Sequence, residues 1–95
     1  MGDDGVDKEE RLPGDEIFDK EYADFIIRVG LKIAYYRKAG GMTQQELAEA
    51  SKLSVVFISQ MEGKNFAYAP SLKSLLKIAK VLGVNAYKFI DVEDD

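Results

Sequence analysis

Apolar residues recur at steps of three and four along the chain, the spacing that places side chains on one face of an α-helix. The first such series spans residues 22–36 and predicts a long helix capped by Asp19 or Asp24. Gly40 and Gly41 follow the series and predict its end. Its apolar positions are Tyr22, Phe25, Ile26, Val29, Ile33 and Tyr36.

Residues 43–62 predict two short amphipathic helices joined by a tight turn. Thr43 and Glu46 form a capping box, in which a hydroxyl and a carboxylate satisfy N–H groups that lack helical partners. Ser54 is the predicted N-cap of the next helix, residues 55–62. Two such helices in succession are typical of a DNA-binding helix-turn-helix.

Two further helices are predicted after a loop. Ser71 is the predicted N-cap of the fourth helix, and Asn85 of a last short helix with Phe89 turned inward. No segment shows the alternation of a β-strand, so we predict an all-α domain of five helices. The inner stripe of the fourth helix consists of Leu72, Leu75, Leu76, Ile78, Ala79 and Leu82.

The net charge of −4 is unevenly distributed along the chain. Residues 1–24 carry −7, residues 25–90 carry +7, and residues 91–95 carry −4. We interpret residues 1–16 as an acidic disordered tail, residues 17–90 as the folded domain, and residues 91–95 as an acidic C-terminal tail. A basic domain between acidic tails is compatible with a nucleic-acid partner.

The composition excludes several kinds of function. The chain has no Cys and no His, which removes disulfides, thiol nucleophiles, imidazole bases and the usual zinc ligands. No apolar run approaches the roughly 20 residues that span a bilayer, and the acidic N-terminus lacks the features of a secretory signal. We therefore expect no enzyme activity, no metal, no small-molecule cofactor and no membrane partner.

The third predicted helix has two distinct sides at about 100° per residue. The side expected to face the core consists of Ser54, Phe57, Ile58 and Met61. The opposite side, which a recognition helix presents to the major groove, consists of Val55, Val56, Ser59 and Gln60.

The groove-facing side of the third helix has few side chains that can form hydrogen bonds. Gln60 is either a base-reading residue, because its amide can bond to N6 and N7 of adenine, or a solvated surface amide. The Ser59 hydroxyl either pairs with a base edge or faces water. Val55 and Val56 cannot hydrogen-bond, so their methyl groups either contact thymine methyls or form an apolar patch for a protein partner.

Four blocks of residues occur together in an order and spacing shared with a known family. They are Gly30, Ile33 and Arg37; residues 42–48, MTQQELA; Ile58, Ser59, Met61 and Glu62; and Pro70-Ser71-Leu72, Leu75, Ile78-Ala79 and Leu82-Gly83-Val84. Over roughly residues 26–90 the chain resembles the Cro/C1-type (XRE) helix-turn-helix regulators. The resemblance implies a compact five-helix lambda-repressor-like fold. Lys52 departs from the family pattern, which usually has Gly in this turn.

The resemblance also implies contacts with the DNA backbone. Gln44 should donate to a phosphate at the start of the second helix, where free N–H groups and the positive dipole end also favour an anion. Lys64, Asn65 and Lys73 flank the other end of the recognition helix and are either phosphate contacts or solvated side chains. The predicted DNA-binding residues are Gln44, Gln45, Ser54, Val55, Val56, Ser59, Gln60, Lys64, Asn65 and Lys73.

By the same resemblance, Arg37 and Glu62 form a structural ion pair that fixes the third helix to the first. We expect a repressor-like transcriptional regulator in a prokaryotic cytoplasm, associated with the nucleoid, that binds double-stranded DNA as a homodimer through residues 84–92. The alternative is a protein-interaction module on the same scaffold, such as an antitoxin-like or anti-repressor-like partner binder, since the third helix has no Lys or Arg.

Overall fold

Five helices follow one another in the residues that the computed structural model describes, 15–64 and 68–91. We number them α1 (Asp15–Ala39), α2 (Gln44–Ser51), α3 (Val55–Glu62), α4 (Leu72–Leu82) and α5 (Tyr87–Ile90). Neither range contains a strand, and the predicted all-α class is confirmed. Within the same two ranges, no helix is long and apolar enough to cross a membrane.

The first helix begins earlier than its apolar pattern predicted. α1 starts at Asp15, so Asp19 and Asp24 lie inside the helix and neither is its N-cap. Two residues assigned to the acidic tail therefore belong to α1, while residues 1–14 and 92–95 of the predicted tails lie outside the described residues.

The caps of the middle helices are the predicted ones. Thr43 Oγ1 accepts the N–H of Glu46 at 3.0 Å, and Glu46 Oε1 accepts the N–H of Thr43 at 2.9 Å, which completes the capping box. The hydroxyl groups of Ser54 and Ser71 each accept the N–H three residues further on. These bonds satisfy N–H groups that the helix itself leaves without acceptors.

The core lies between the helices, with α1 packed against α3 and α5, and α2 packed against α3 and α4. Phe89 is fully buried and meets the ring of Tyr36 edge-on, with 5.9 Å between centroids, which connects α5 to α1. The buried cluster consists of Val29, Ile33, Leu47, Ala48, Ile58, Met61, Leu75, Ile78, Ala79 and Phe89.

Two details after α3 differ from the prediction. Leu72 and Leu76 are 84% and 52% exposed, because only one narrow side of α4 faces α2 and these two residues lie beside it. Asn85 is not the cap of α5, since Ala86 holds that position and makes no side-chain hydrogen bond. Burial of Phe89, rather than a cap, fixes this short helix.

Candidate nucleic-acid interface

The turn between α2 and α3 sets the direction of the candidate recognition helix. Lys52 adopts a left-handed conformation, with φ 61° and ψ 38°. The N–H of Leu53 then donates to the carbonyl of Ala48 at 2.9 Å, which closes the end of α2. Lys52 therefore takes the strained conformation that glycine adopts at little cost.

One side of α3 faces the core and the other faces solvent. Ile58 and Met61 are buried, and Phe57 is half-buried. Ser54, assigned from the sequence to the core side, is exposed because its hydroxyl caps the helix. The solvent-facing side contains four of the predicted DNA-binding residues, all exposed: Val55, Val56, Ser59 and Gln60.

A buried ion pair attaches the end of α3 to α1. Arg37 Nε donates to Glu62 Oε2 at 2.8 Å, and Arg37 Nη2 donates to Glu62 Oε1 at 3.0 Å. Arg37 Nη1 also donates to the carbonyl of Met42 at 2.6 Å. The planar guanidinium thus binds both carboxylate oxygens and the segment that leads into α2, which fixes three parts of the fold together.

Gln44 adds a third side chain to this pair. Its Nε2 atom donates to Glu62 Oε1 at 2.9 Å, and the side chain is half-buried. This bond was not predicted, because Gln44 and Glu62 lie on different helices and no local spacing relates them. An amide nitrogen carries two N–H groups, so one remains for another acceptor after Glu62 is bound.

The start of α2 and the start of α3 both present donors to solvent. Gln45 is exposed, and its Nε2 atom lies 3.2 Å from Glu49 Oε2. At α3, Ser54 Oγ accepts the N–H of Phe57 at 2.9 Å, which leaves the hydroxyl hydrogen available to donate. The first-turn N–H groups of each helix add positive dipole ends at these two places.

Two of the predicted phosphate contacts are exposed lysines. Lys64 is exposed just after the helix, and Lys73 is exposed in the first turn of α4. Asn65, the remaining predicted contact, lies outside the described residues. The ring of Tyr68 meets the ring of Phe57 edge-on, with 5.5 Å between centroids. This unpredicted contact ties the segment before α4 to α3.

α1 and α3 approach each other closely at Gly30. A Cβ atom at this position would overlap the carbonyl oxygen of Met61. A side chain would push the end of α3 away from α1, so the glycine allows the distance at which Arg37 reaches Glu62.

Comparison with known proteins identifies the family of this chain. A model of the helix-turn-helix family matches residues 33–89, more than half of the chain. The chain belongs to the Cro/C1-type helix-turn-helix family. This family consists of non-enzymatic DNA-binding domains.

Individual members of the Cro/C1 family show the extent of the similarity. The HTH-type transcriptional regulator SinR of Bacillus licheniformis is 31% identical over 67 residues, which cover 70% of this chain and 60% of SinR. SinR of Bacillus subtilis is 33% identical over 63 residues, 66% of this chain and 56% of SinR. The chain thus spans less than two thirds of either SinR protein. An uncharacterized HTH-type transcriptional regulator of Methanocaldococcus jannaschii is 42% identical over 65 residues, 67% of this chain and 94% of that protein.

Proposed function

We propose that this chain binds double-stranded DNA in a sequence-specific manner, as a repressor-like transcriptional regulator that places α3 in the major groove. The observation that carries the proposal is the exposed side of α3, set beside the start of α2 by the network of Arg37, Glu62 and Gln44. Membership of the Cro/C1 family and relatives named as transcriptional regulators support it.

In this proposal, base reading depends on few groups. Gln60 bonds to N6 and N7 of adenine, a contact worth roughly 1–3 kcal/mol of discrimination. Ser59 pairs with a neighbouring base edge, and the methyl groups of Val55 and Val56 contact thymine methyls. Sequence specificity is therefore modest, because only two of these four side chains form hydrogen bonds.

Phosphate contacts supply most of the affinity. Gln44, Gln45 and Ser54 contact the backbone at the starts of α2 and α3, where amide donors and dipole ends coincide. Lys64 and Lys73 neutralise phosphates at the other end of α3. Asn65 joins them from the segment that follows Lys64.

One recognition helix covers only a few base pairs, so we propose that two copies of the chain read paired half-sites about one helical turn apart. Residues 84–92 form part of the dimer surface. A regulator of this kind acts where the chromosome lies, which in a prokaryote is the cytoplasm and its nucleoid.

The test is affinity for duplex DNA as a function of salt concentration. Because each neutralised phosphate releases counterions, the logarithm of the binding constant should fall with the logarithm of salt, at about 0.9 per contact. A slope near zero would refute DNA binding. Selection of bound sites from random duplexes then tests specificity, and an enriched palindrome is the expected result.

The exposed apolar side chains favour a second function, a protein-interaction module. Val55 and Val56 are neighbours at the start of α3 and are 39% and 60% exposed, and a continuous exposed apolar patch can mark a contact with another protein. The Val55→Ser/Val56→Ser variant separates the two functions. Loss of a protein complex with unchanged DNA affinity supports the interaction module, and loss of DNA affinity supports α3 as the recognition helix.

A further inference from the structure

The apolar stripe of α1 continues beyond the part that the core covers. Val29 and Ile33 are buried, whereas Phe18, Tyr22 and Phe25 on the same side of the helix are 66%, 57% and 37% exposed. An amphipathic helix gains most of its stability by burying such a stripe. Within the part of the chain that the structure describes, the first half of α1 thus has an apolar side that is only partly covered.

This side of α1 forms one wall of an open groove, and the end of α5 forms the other. Phe18, Tyr22 and Phe25 line the first wall, and Ile90 and Asp91 line the second. Ile90 is 46% exposed, so the apolar surface continues from α1 across the groove to α5.

The groove contains both acidic and basic residues, which lie at different positions along the axis of α1. Glu21 and Asp24 come first, and Arg28 follows, on the same flank of the helix. Glu21 and Arg28 are seven residues apart, which is about two helical turns or roughly 10 Å along the axis. The flank therefore runs from negative to positive in the direction of the chain.

We propose that a second copy of this chain occupies the groove, with the two α1 helices antiparallel about a two-fold axis near residues 24–25. When two copies of a helix pair antiparallel about a two-fold axis, a given flank of one copy lies against the same flank of the other copy. Glu21 of one copy then faces Arg28 of the other, and the reverse pair forms by symmetry. A surface that carries both signs in this order is complementary to itself.

This pairing rests on the proposed function and gives the dimer a specific interface centred on α1. It includes Ile90 and Asp91 from the surface first predicted at residues 84–92. An interface made of one helix and one groove buries a small surface area for a specific interface, below about 1,200 Å² in total. The dimer is accordingly weak in solution and is stabilised when both copies occupy neighbouring half-sites.

The first experiment measures self-association of the 95-residue chain by sedimentation equilibrium up to millimolar concentration. Tyr22→Ala removes an aromatic ring from the groove and should weaken dimerisation roughly tenfold or more, as loss of a central interface residue does. Tyr35→Ala is the matched control, because Tyr35 is 65% exposed on the same helix but outside the groove. A wild-type chain that stays monomeric, or equal effects of the two variants, would overturn the proposal.

The second experiment tests the antiparallel arrangement by charge reversal. Arg28→Glu places three acidic residues on the same flank and should weaken the dimer, whereas Glu21→Arg/Arg28→Glu restores opposite charges and should recover most of the association. Circular dichroism confirms that each variant is folded. Failure of the double variant to recover dimerisation would overturn the antiparallel pairing.

DNA binding distinguishes this inference from the proposed function. Tyr22→Ala leaves α3, Lys64 and Lys73 unchanged, so affinity for a single half-site and its salt dependence should match the wild type. A monomeric chain that still binds DNA refutes only the α1 dimer. A dimer that binds no DNA refutes only the proposed function.

Discussion

Arg37 and Glu62 join α1 to the end of α3 through two hydrogen bonds of 2.8 and 3.0 Å, in a site almost closed to water. Glu62 also accepts a hydrogen bond from Gln44 at the start of α2. One carboxylate therefore connects three helices. Together with the turn at Lys52, this carboxylate fixes how α3 lies against the start of α2.

Removal of one member of the pair should destabilise the fold strongly. Arg37→Met leaves the Glu62 carboxylate buried without its partner, and we expect the free energy of unfolding to fall by about 3–5 kcal/mol. Urea denaturation measures this loss, which is a large fraction of the stability of a small domain.

The double variant Arg37→Met/Glu62→Leu provides the control for this prediction. It removes both charges and fills the site with apolar side chains, so much of the lost stability should return. If the double variant loses as much as the two single variants together, the two residues are not coupled and the prediction is wrong.

Substitution of Gly30 should separate α1 from α3. In Gly30→Ala the new methyl group overlaps the carbonyl oxygen of Met61, and relief of that overlap should lower stability by about 1–3 kcal/mol. Thermal unfolding measures the effect. Gly63→Ala is the control, because Gly63 has φ −76° and an added Cβ would lie 3.5 Å from its nearest neighbours, and we expect a change within about 0.5 kcal/mol. Equal losses in the two variants would contradict the close approach at Gly30.

Lys52→Gly should stabilise the chain. Lys52 has φ 61°, a left-handed conformation that a side chain disfavours by about 1–2 kcal/mol. Part of that gain is offset by the greater freedom of glycine in the unfolded state, which leaves roughly 0.5–1 kcal/mol. The melting temperature should rise by a few degrees, since about 1 kcal/mol corresponds to about 4–8 °C in a domain of this size.

Gly83→Ala is the reverse test, because it adds a side chain to a residue in the left-handed conformation instead of removing one. Gly83 has φ 72° and no atom within 4 Å of an added Cβ, so only the backbone conformation opposes the substitution. We expect a loss of about 1 kcal/mol. A less stable Lys52→Gly variant together with an unchanged Gly83→Ala variant would contradict the assignment of strain to this backbone conformation.

Local chemistry was sufficient to predict the middle of the chain. The capping box of Thr43 and Glu46 and the caps Ser54 and Ser71 act within four residues, so their spacing alone identifies where α2, α3 and α4 begin. The solvent-facing side of α3 also follows from helical periodicity, since core and surface positions alternate at a fixed angle.

Features that depend on contacts between helices were not predictable in this way. The exposure of Leu72 and Leu76 reflects how much of α4 its neighbours cover, whereas periodicity alone assigned both to the inner stripe of the helix. The bond from Gln44 to Glu62 requires knowing how α2 and α3 lie together. The family resemblance placed Arg37 opposite Glu62, but it did not indicate that Gln44 shares the carboxylate.

If α3 reads bases while lysines hold phosphates, two substitutions should weaken DNA binding in different ways. Gln60→Ala should reduce affinity for the selected site by about 1–3 kcal/mol and relax the preference at one base pair, with unchanged salt dependence. Lys73→Ala should weaken binding to all sequences and lower the salt slope by about 1. Titration of each variant against selected and scrambled duplexes at several salt concentrations measures both effects.

Lys80→Ala is the control for these titrations, because Lys80 is an exposed lysine in the last turn of α4 that belongs neither to the predicted DNA contacts nor to the proposed dimer surface. It should change neither affinity nor salt slope, since only phosphates that a protein neutralises release counterions. If Gln60→Ala weakened binding to the selected and the scrambled duplexes equally, Gln60 would contribute affinity without reading a base. The specificity of the Cro/C1-type scaffold in this chain would then have to come from valine contacts with thymine methyls or from the shape of the DNA.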